Sequence, residues 1–363
     1  MNKIVVYTQA YNAERTIKYT IESILSQTYD NFCYYILDNG SVDMTGKIID
    51  EYIKKDKRII KLINKKNNFR AMWEYLPLII NNYENAWFAV LDSDDTYHPM
   101  FFEKMLDFAT NNNLDIVSCG YDTIDAKTGK LIMRRALDRN LIISGEKYRD
   151  DFIYYRRYMC GVWCKLYSFS LLKKGVLNAA EPYTYYLQSS DNAFTTKAFK
   201  LSNRAGILGE SLHRYYISEN SASYTFVPSR VESDQSLFIC TKEYLLSYGE
   251  ISKINEDYLY AIYLGLIQET LKVIYNTNLK FTEKLKYISD IFECQITKEM
   301  LLREADPQFN NLSKRKEFLQ SVVDWIFAQS DWKNLHEKVE EVINKIDLFS
   351  YNIILPEKWR KEI

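Results

Sequence analysis

The sequence predicts an α/β fold, with a mainly parallel sheet flanked by helices and an α-helical C-terminal domain. Three observations lead there. Through residues 1–100, short apolar runs alternate with amphipathic segments of about ten to fifteen residues, the pattern of strands joined by crossover helices. Three of those runs end in polar clusters, Thr8 to Asn12, Asp38 to Ser41 and Asp92 to Asp95. From about Val231 onward, long segments place apolar residues three and four apart, the helical period.

Ile4-Val5-Val6-Tyr7 opens the chain as a buried strand, and the Tyr11-Asn12 turn follows. The segment from Ala13 to Gln27 sets Ile17, Ile21, Ile24 and Leu25 on one helical face. Cys33 to Leu37 is a second strand, Thr45 to Lys54 a second helix, and Ile59 to Ile63 a third strand. Met72 to Ile80 reads as a helix, with Pro77 as a local objection because proline removes a backbone donor. Trp87 to Leu91 is a fourth strand, running straight into Asp92-Ser93-Asp94-Asp95. Asp115 to Gly120 reads as another strand, and Asp122 to Gly129 as a hairpin loop. Tyr258 to Tyr275, Lys284 to Phe292, Lys314 to Gln329 and Glu337 to Ile346 are helical, which places a domain boundary near 230–240. In a parallel sheet, ligands collect at the carboxyl ends of the strands. The three polar clusters all lie at such ends, so they converge on one crevice.

Bulk properties narrow the function. The chain has 363 residues, 47% of them hydrophobic and 26% charged, enough for a real core and more than one domain. A formal net charge of −1 gives no support to nucleic-acid binding. The six cysteines, at 33, 119, 160, 164, 240 and 294, lack zinc-site spacing and read as reduced thiols of a cytoplasmic protein. The N-terminus starts in a strand-like run without secretory-signal features, and no apolar stretch is long enough to span a membrane. The expectation is a soluble chain, with peripheral membrane contact and homo-oligomerisation left open.

The acidic cluster carries the chemistry. Asp92-x-Asp94 at a strand end presents two carboxylates on one side of the backbone, because alternate residues of an extended chain point the same way. Carboxylate oxygens suit Mg²⁺ or Mn²⁺, and such an ion neutralises a departing diphosphate. Acids at a strand end also serve as helix caps or solvated turns, so the pair alone decides little. His98 and His213 are the histidines nearest the motifs; His213 joins Asp92 and Asp94 as a candidate metal ligand, against the alternative of a hydrogen-bonded structural histidine.

Val5 to Asn12, Ile21 to Tyr29, Leu37 to Asp43 and Val90 to Asp95, in that order and spacing, resemble the opening of family 2 glycosyltransferases of the GT-A fold. Gly161-Val162-Trp163-Cys164-Lys165-Leu166-Tyr167 resembles that family's tryptophan–lysine segment, and the resemblance covers roughly residues 1–225. It implies a GT-A domain over 1–230, with a nucleotide-binding half at 1–112 and an acceptor-binding half at 113–230, followed by a helical domain at 231–363. It further implies that Thr8, Ala10 and Tyr11 line the nucleotide pocket, with Arg70, Asp92 and Ser93 also on the nucleotide. Asp38 and Asn39 fall where the family secures uracil with two acids; Asn39 departs from that pattern, although its amide oxygen can accept from a uracil N–H. Gln9 replaces a usual proline, and Tyr216 stands where arginine is frequent.

On the acceptor side the resemblance points to Trp163 and Asp95. Ser190-Asp191-Asn192 resembles the acidic pair that supplies the catalytic base, with Ser190 where glutamate is commoner. Asp191 is therefore the candidate base, and it also suits a helix N-cap. The implied reaction is inverting, metal-dependent transfer of a hexosyl or N-acetylhexosaminyl group. The donor would be a UDP-sugar such as UDP-GlcNAc or UDP-hexose. The acceptor would be a hydroxyl of a surface glycan, a lipid-linked glycan or a protein such as flagellin. Two alternatives use the same fold. A nucleotidyltransferase needs a glycine-rich loop after the first strand, and Thr8 to Arg15 has no glycine. A non-catalytic GT-A-like binding protein would not need Asp92, Asp94 and Asp191.

Overall fold

The computed structural model describes residues 2–176, 190–217, 225–304, 306, 309, 312–349, 351–356 and 359. The chain divides into two compact units, Met1–Ser221 and Ala222–Ile363.

In the first unit, β1 (Lys3–Ala10), α1 (Ile17–Leu25), β2 (Phe32–Asn39), α2 (Thr45–Lys55), β3 (Ile59–Asn64), α3 (Ala71–Asn81) and β4 (Ala86–Val90) alternate as expected. β1 pairs in parallel with both β2 and β4, and β2 with β3. The apolar runs form these strands because both faces are covered: Ile4, Val5, Val6, Phe88 and Ala89 have no exposed surface. Helix α3 runs through Pro77. Met72, Leu76, Ile79 and Ile80 are buried on it, and that packing offsets the backbone bond that proline removes.

After the acidic turn come β5 (Thr96–Tyr97), α4 (Phe101–Asn111), β6 (Ile116–Asp125), β7 (Leu131–Arg135), β8 (Leu141–Ser144), α5 (Lys147–Asp150), α6 (Phe152–Met159), β9 (Lys165–Ser168), α7 (Phe169–Leu171), α8 (Ser190–Leu201) and β10 (Arg204–Ile217). The sheet order is β3-β2-β1-β4-β9-β6-β10-β5, with β7 on β6 and β8 on β10. β9 is antiparallel to both neighbours, β4 and β6. β6 therefore runs in the direction of β1 and β4. This mixed half of the sheet was not legible as a simple alternation. Its strands are short or irregular, and β10 carries register shifts between Leu208 and His213.

The regular elements of the second unit are all helices among its described residues. It contains α9 (Arg230–Leu246), α10 (Lys253–Tyr275), α11 (Phe281–Glu293), α12 (Gln295–Leu302) and the helices Leu312–Ala328 and His336–Asp347. Its core is a separate cluster that includes Leu259, Tyr263, Ile267, Ile288, Leu319, Val322 and Val339. No helix among the described residues is long and apolar enough to cross a membrane.

Candidate active site

Two loops close one side of the crevice. Residues 12–14 after β1 lace to residues 41–45 after β2. The Asn12 N–H donates to the Ser41 hydroxyl at 3.1 Å, Ala13 N–H to Thr45 Oγ1 at 2.7 Å, and Glu14 N–H to Asp43 at 3.1 Å. In return, Val42 N–H donates to Asn12 Oδ1 at 3.0 Å. Asn12 adopts a left-handed backbone (φ 50°) to make this turn. The adjacent Tyr11 stays 46% exposed.

Two residues expected to touch the nucleotide lie beneath the crevice instead. Thr8 is fully buried; its hydroxyl donates to the Leu91 carbonyl at 2.7 Å and shares a bond with Tyr34 Oη at 2.9 Å. It braces β1 against the chain entering the acidic turn. Asn39 is also fully buried, in a cluster of asparagines. Its amide oxygen accepts from Asn64 Nδ2 at 2.8 Å and from Asn68 N–H at 3.2 Å, and its amide nitrogen donates to Asn67 and Asn68. The oxygen expected to receive a base N–H is thus occupied, and Asn39 shapes the 64–68 loop. Ala10, the last residue of β1, is buried too. Asp38 is nearly buried and accepts from Ser41 N–H at 3.1 Å, with Lys61 Nζ 3.9 Å from its other oxygen. Arg70 caps the start of α3 and is half-buried.

The acidic turn follows β4 directly. Leu91 N–H still bonds Tyr7 O at 3.1 Å, and Asp95 N–H folds back to Asp92 O at 3.1 Å. Asp92 and Ser93 are half-buried, and Asp94 is exposed. Asp95, expected on the acceptor side, is instead fully buried. Its Oδ2 lies 2.8 Å from His213 Nε2, and its Oδ1 accepts the Tyr216 N–H at 2.9 Å. Register explains the meeting, since β5 lays Tyr97 against His213 of β10. His213 is 1% exposed, and its Nδ1 has no hydrogen-bond partner among the described residues.

Trp163 stacks on this histidine at 5.1 Å between ring centroids and on Tyr215 at 5.4 Å, with Tyr121 edge-on at 4.8 Å. It is half-buried in that aromatic pile. The loop that presents it is held by Lys165, a role the sequence did not disclose. This buried ammonium donates to the carbonyls of Cys160, Gly161 and Trp163 at 3.0, 2.8 and 3.1 Å. Gly161 adopts φ 66°, and a Cβ there would meet the Trp163 indole at 2.5 Å, so glycine is required. Asp191 sits inside the first turn of α8, which begins at Ser190, and is not its cap.

Electrostatics tie these groups together. Burial, followed by the charges of Asp95, Asp94 and Asp191, holds the Asp92 carboxyl well above the usual range. Burial and the charge of Asp94 do the same to Asp95. The protein around Asp94 raises its pKa, with His213 opposing. Burial lifts Asp191 to about 6, with Lys165 pulling the other way. Burial lowers Lys165 to about 8, and it lowers His213 to about 3 with help from the Lys165 charge. His213 is therefore a neutral imidazole at physiological pH. Its Nε2 shares a hydrogen bond with Asp95, the kind of contact by which a carboxylate orients a histidine ring.

The donor set fits a divalent cation held mainly by its substrate. Among the described residues, no three His, Cys, Asp or Glu side chains form a preformed cage. Mg²⁺-type ions in nucleotide sites use one or two protein carboxylates plus phosphate oxygens and water, and exposed Asp94 is a carboxylate of that kind.

The family model described as "Glycosyl transferase family 2" matches residues 5–176. These residues hold β1 through the tryptophan–lysine loop. Residues 5–176 therefore form a family 2 glycosyltransferase domain.

Relatives agree with the family assignment. An uncharacterised glycosyltransferase of Bacillus subtilis, EpsJ, is 26% identical over 231 residues, covering 62% of this chain and 64% of that one. An uncharacterised glycosyltransferase of Haemophilus influenzae is 33% identical over 133 residues, covering 34% of this chain and 41% of that one. The match thus spans less than two-thirds of either relative. Among solved structures, S. aureus TarS residues 1–349 in complex with UDP shares the fold, with a TM-score of 0.51 at 16% identity over 99% of this chain and 92% of that one. The same TarS segment is also solved with UDP-GlcNAc, again with a TM-score of 0.51. The family 2 domain thus has the GT-A architecture expected from its motifs.

Proposed function

We propose that this family 2 chain is a metal-dependent, inverting glycosyltransferase that moves a hexosyl or N-acetylhexosaminyl group from a UDP-sugar to a hydroxyl acceptor. One observation carries the reading. Exposed Asp94 and a buried histidine with an unpartnered nitrogen act on one another at the carboxyl end of the sheet, and half-buried Asp191, whose pKa is raised, acts on the Asp92 of the same acidic turn. The same fold in TarS is solved with UDP and with UDP-GlcNAc, and the donor proposed here is of that class. The acceptor classes stay those named from the motifs: a surface or lipid-linked glycan, or a protein side chain.

Asp94 and His213 Nδ1 would hold Mn²⁺ or Mg²⁺. When bound, that ion would neutralise the charge that builds on the departing diphosphate. Asp95 has no exposed surface with which to meet a sugar; it orients His213. Tyr11 supplies an exposed ring beside the nucleotide. Asp191 takes the proton of the acceptor hydroxyl as that oxygen attacks the anomeric carbon. At about 6 its pKa keeps it mostly ionised at neutral pH, yet far more basic than an ordinary aspartate near ~3.9. Lys165 holds the Gly161–Trp163 loop and places a cation near Asp191. Ser190 and Asn192 flank the base, and Asn192 Oδ1 accepts the Gly161 N–H at 3.3 Å, joining α8 to that loop.

The test is UDP release from UDP-sugars in Mn²⁺ without acceptor. The reading expects slow release that chelator abolishes and that Asp94→Ala lacks. Unchanged turnover by Asp94→Ala would remove the metal role.

A further inference from the structure

Beyond Tyr121, the β6–β7 hairpin contributes no residue to the site described above, and the surface of β7 is unusual. β7 pairs only with β6 among the described residues, so its outer edge is open. Leu131, Ile132 and Met133, three consecutive apolar residues, stay 53%, 54% and 40% exposed. Successive side chains of a strand point to opposite faces, so the ribbon is apolar and uncovered on both. A register shift between Thr123 and Ile124 leaves Ile132 as the extra residue of a bulge. Sheet edges are ordinarily blunted by charge or covered, and an exposed apolar edge marks an interaction surface.

The hairpin is also built to hold its shape. Asp125 Oδ1 accepts the N–H groups of Lys127 at 3.0 Å and Thr128 at 2.7 Å, and Gly129 takes φ 68° to close the turn. Arg134 Nε and Nη2 pair with both oxygens of Asp122 at 2.8 and 2.7 Å. The Arg135 guanidinium lies over Tyr121 at 5.3 Å, and Tyr121 meets Trp163 edge-on.

Charge selects the partner. Residues 122–139 carry Lys127, Lys130, Arg134, Arg135 and Arg139 against Asp122, Asp125 and Asp138, with Asp122 paired to Arg134, a net positive stretch in a chain whose formal net charge is −1. Lys127, Lys130, Arg134 and Arg139 are exposed. A second copy docked edge to edge would set these cations against one another. A basic rim alone would suit any polyanion, but the side chains of Leu131, Ile132 and Met133 carry no hydrogen-bonding donors and suit hydrocarbon. We propose that the β6–β7 hairpin docks the chain on an anionic lipid surface, with Leu131, Ile132 and Met133 entering the acyl boundary and the lysine–arginine rim meeting the headgroups. Because β6 runs in the direction of β1 and β4, the hairpin leaves the same end of the sheet as the acidic turn. Docking there turns the crevice toward the bilayer, where a lipid-linked acceptor would lie. That last step rests on the transferase reading; the docking does not.

The experiment is co-sedimentation of the full chain with vesicles of phosphatidylcholine alone or mixed with phosphatidylglycerol. The docking reading expects at least about tenfold stronger binding to the mixed vesicles, weakened by salt. The triple variant Leu131→Asn, Ile132→Asn, Met133→Asn should lose that binding, and Lys127→Glu with Lys130→Glu should lose the preference for anionic lipid. These side chains are exposed, so both variants keep the fold and the parent rate of UDP release. Asp94→Ala should bind vesicles like the parent, which separates docking from catalysis. Undiminished binding by the triple variant, or equal binding of the parent to both vesicles, overturns the proposal. So does a parent that ignores vesicles but forms a dimer that the triple variant cannot.

Discussion

Asp257 in the C-terminal unit and Asp95 in the sheet unit are both fully buried, and their partners differ in kind. Asp257 pairs with Arg303, whose other arm lies 2.7 Å from Glu256, and it also accepts the Asp306 N–H at 2.9 Å. Asp234, on α9, accepts the Thr270 hydroxyl at 2.5 Å, and Arg230 donates to that same hydroxyl at 3.0 Å. The helical unit thus answers buried negative charge with arginine close at hand. At the carboxyl end of the sheet, Asp95 is met by a neutral imidazole and a backbone N–H. Asp92, Asp94 and Asp191 form no ion pair with lysine or arginine among the described residues, and Lys165, whose charge acts on Asp191, points its N–H groups at carbonyls. Negative charge neutralised from within is structural. Negative charge gathered without a counter-ion is costly unless something outside the chain supplies one, and a cation carried in on a diphosphate would do so.

The largest expected effect comes from Asp94→Ala, which removes the exposed carboxylate of the acidic group. UDP release in Mn²⁺ should fall by on the order of 10³-fold or more, as several kcal/mol of charge stabilisation are lost. Asp191→Asn should lower transfer to acceptor by roughly 10²–10⁴-fold, the range for a general base. In the parent enzyme, burial raises the Asp191 pKa, so its base form builds as pH rises through about 6. A plot of kcat against pH should therefore fall off below about 6, a limb absent from the residual activity of the asparagine variant.

The helical unit should respond in stability instead. Arg303→Ala strands a buried Asp257 and should cost about 3 kcal/mol in denaturant unfolding, with turnover of the remaining folded protein little changed. The smallest effect is at Asp234, whose pKa burial raises to about 6. The folded state then holds that proton more tightly than the unfolded chain, so stability falls as pH rises from roughly 4 toward 6 and stays lower above that. Asp234→Asn keeps an acceptor for Thr270 and should add about 1 kcal/mol at pH 8 and nothing below about pH 4, measured by thermal unfolding. An equal gain at both pH values would mean that charge is not the cause.

The same contrast shows what the amino-acid order discloses. Ile4 to Tyr7, Cys33 to Leu37, Ile59 to Ile63 and Trp87 to Leu91 are strands to within three residues, and all but Ile59 to Ile63, where Ile60 and Ile63 stay exposed, are apolar runs covered on both faces. The acidic turn after β4 was legible because it ends one of those runs. The side of the backbone on which a strand-end residue points was not. Thr8 and Asn39 have polar side chains at crevice-forming ends, yet both turn inward and hydrogen-bond within the protein. Asp95 and His213 meet across 118 positions of chain, through a β5–β10 pairing that no local pattern announces. Lys165 was visible only as part of a motif. Its position two residues after a tryptophan and four after a glycine was the available signal, but a lysine with no exposed acid nearby reads as surface until its burial is known.

The central claim is that Asp94 and His213 hold a divalent cation against the donor diphosphate. Anomalous diffraction from crystals soaked with Mn²⁺ and UDP tests it most directly. The account expects one manganese peak at roughly 2.0–2.3 Å from the Asp94 carboxylate and His213 Nδ1, bridged to the diphosphate. UDP seated in the crevice with manganese bound elsewhere, or with no manganese peak at all, would contradict it.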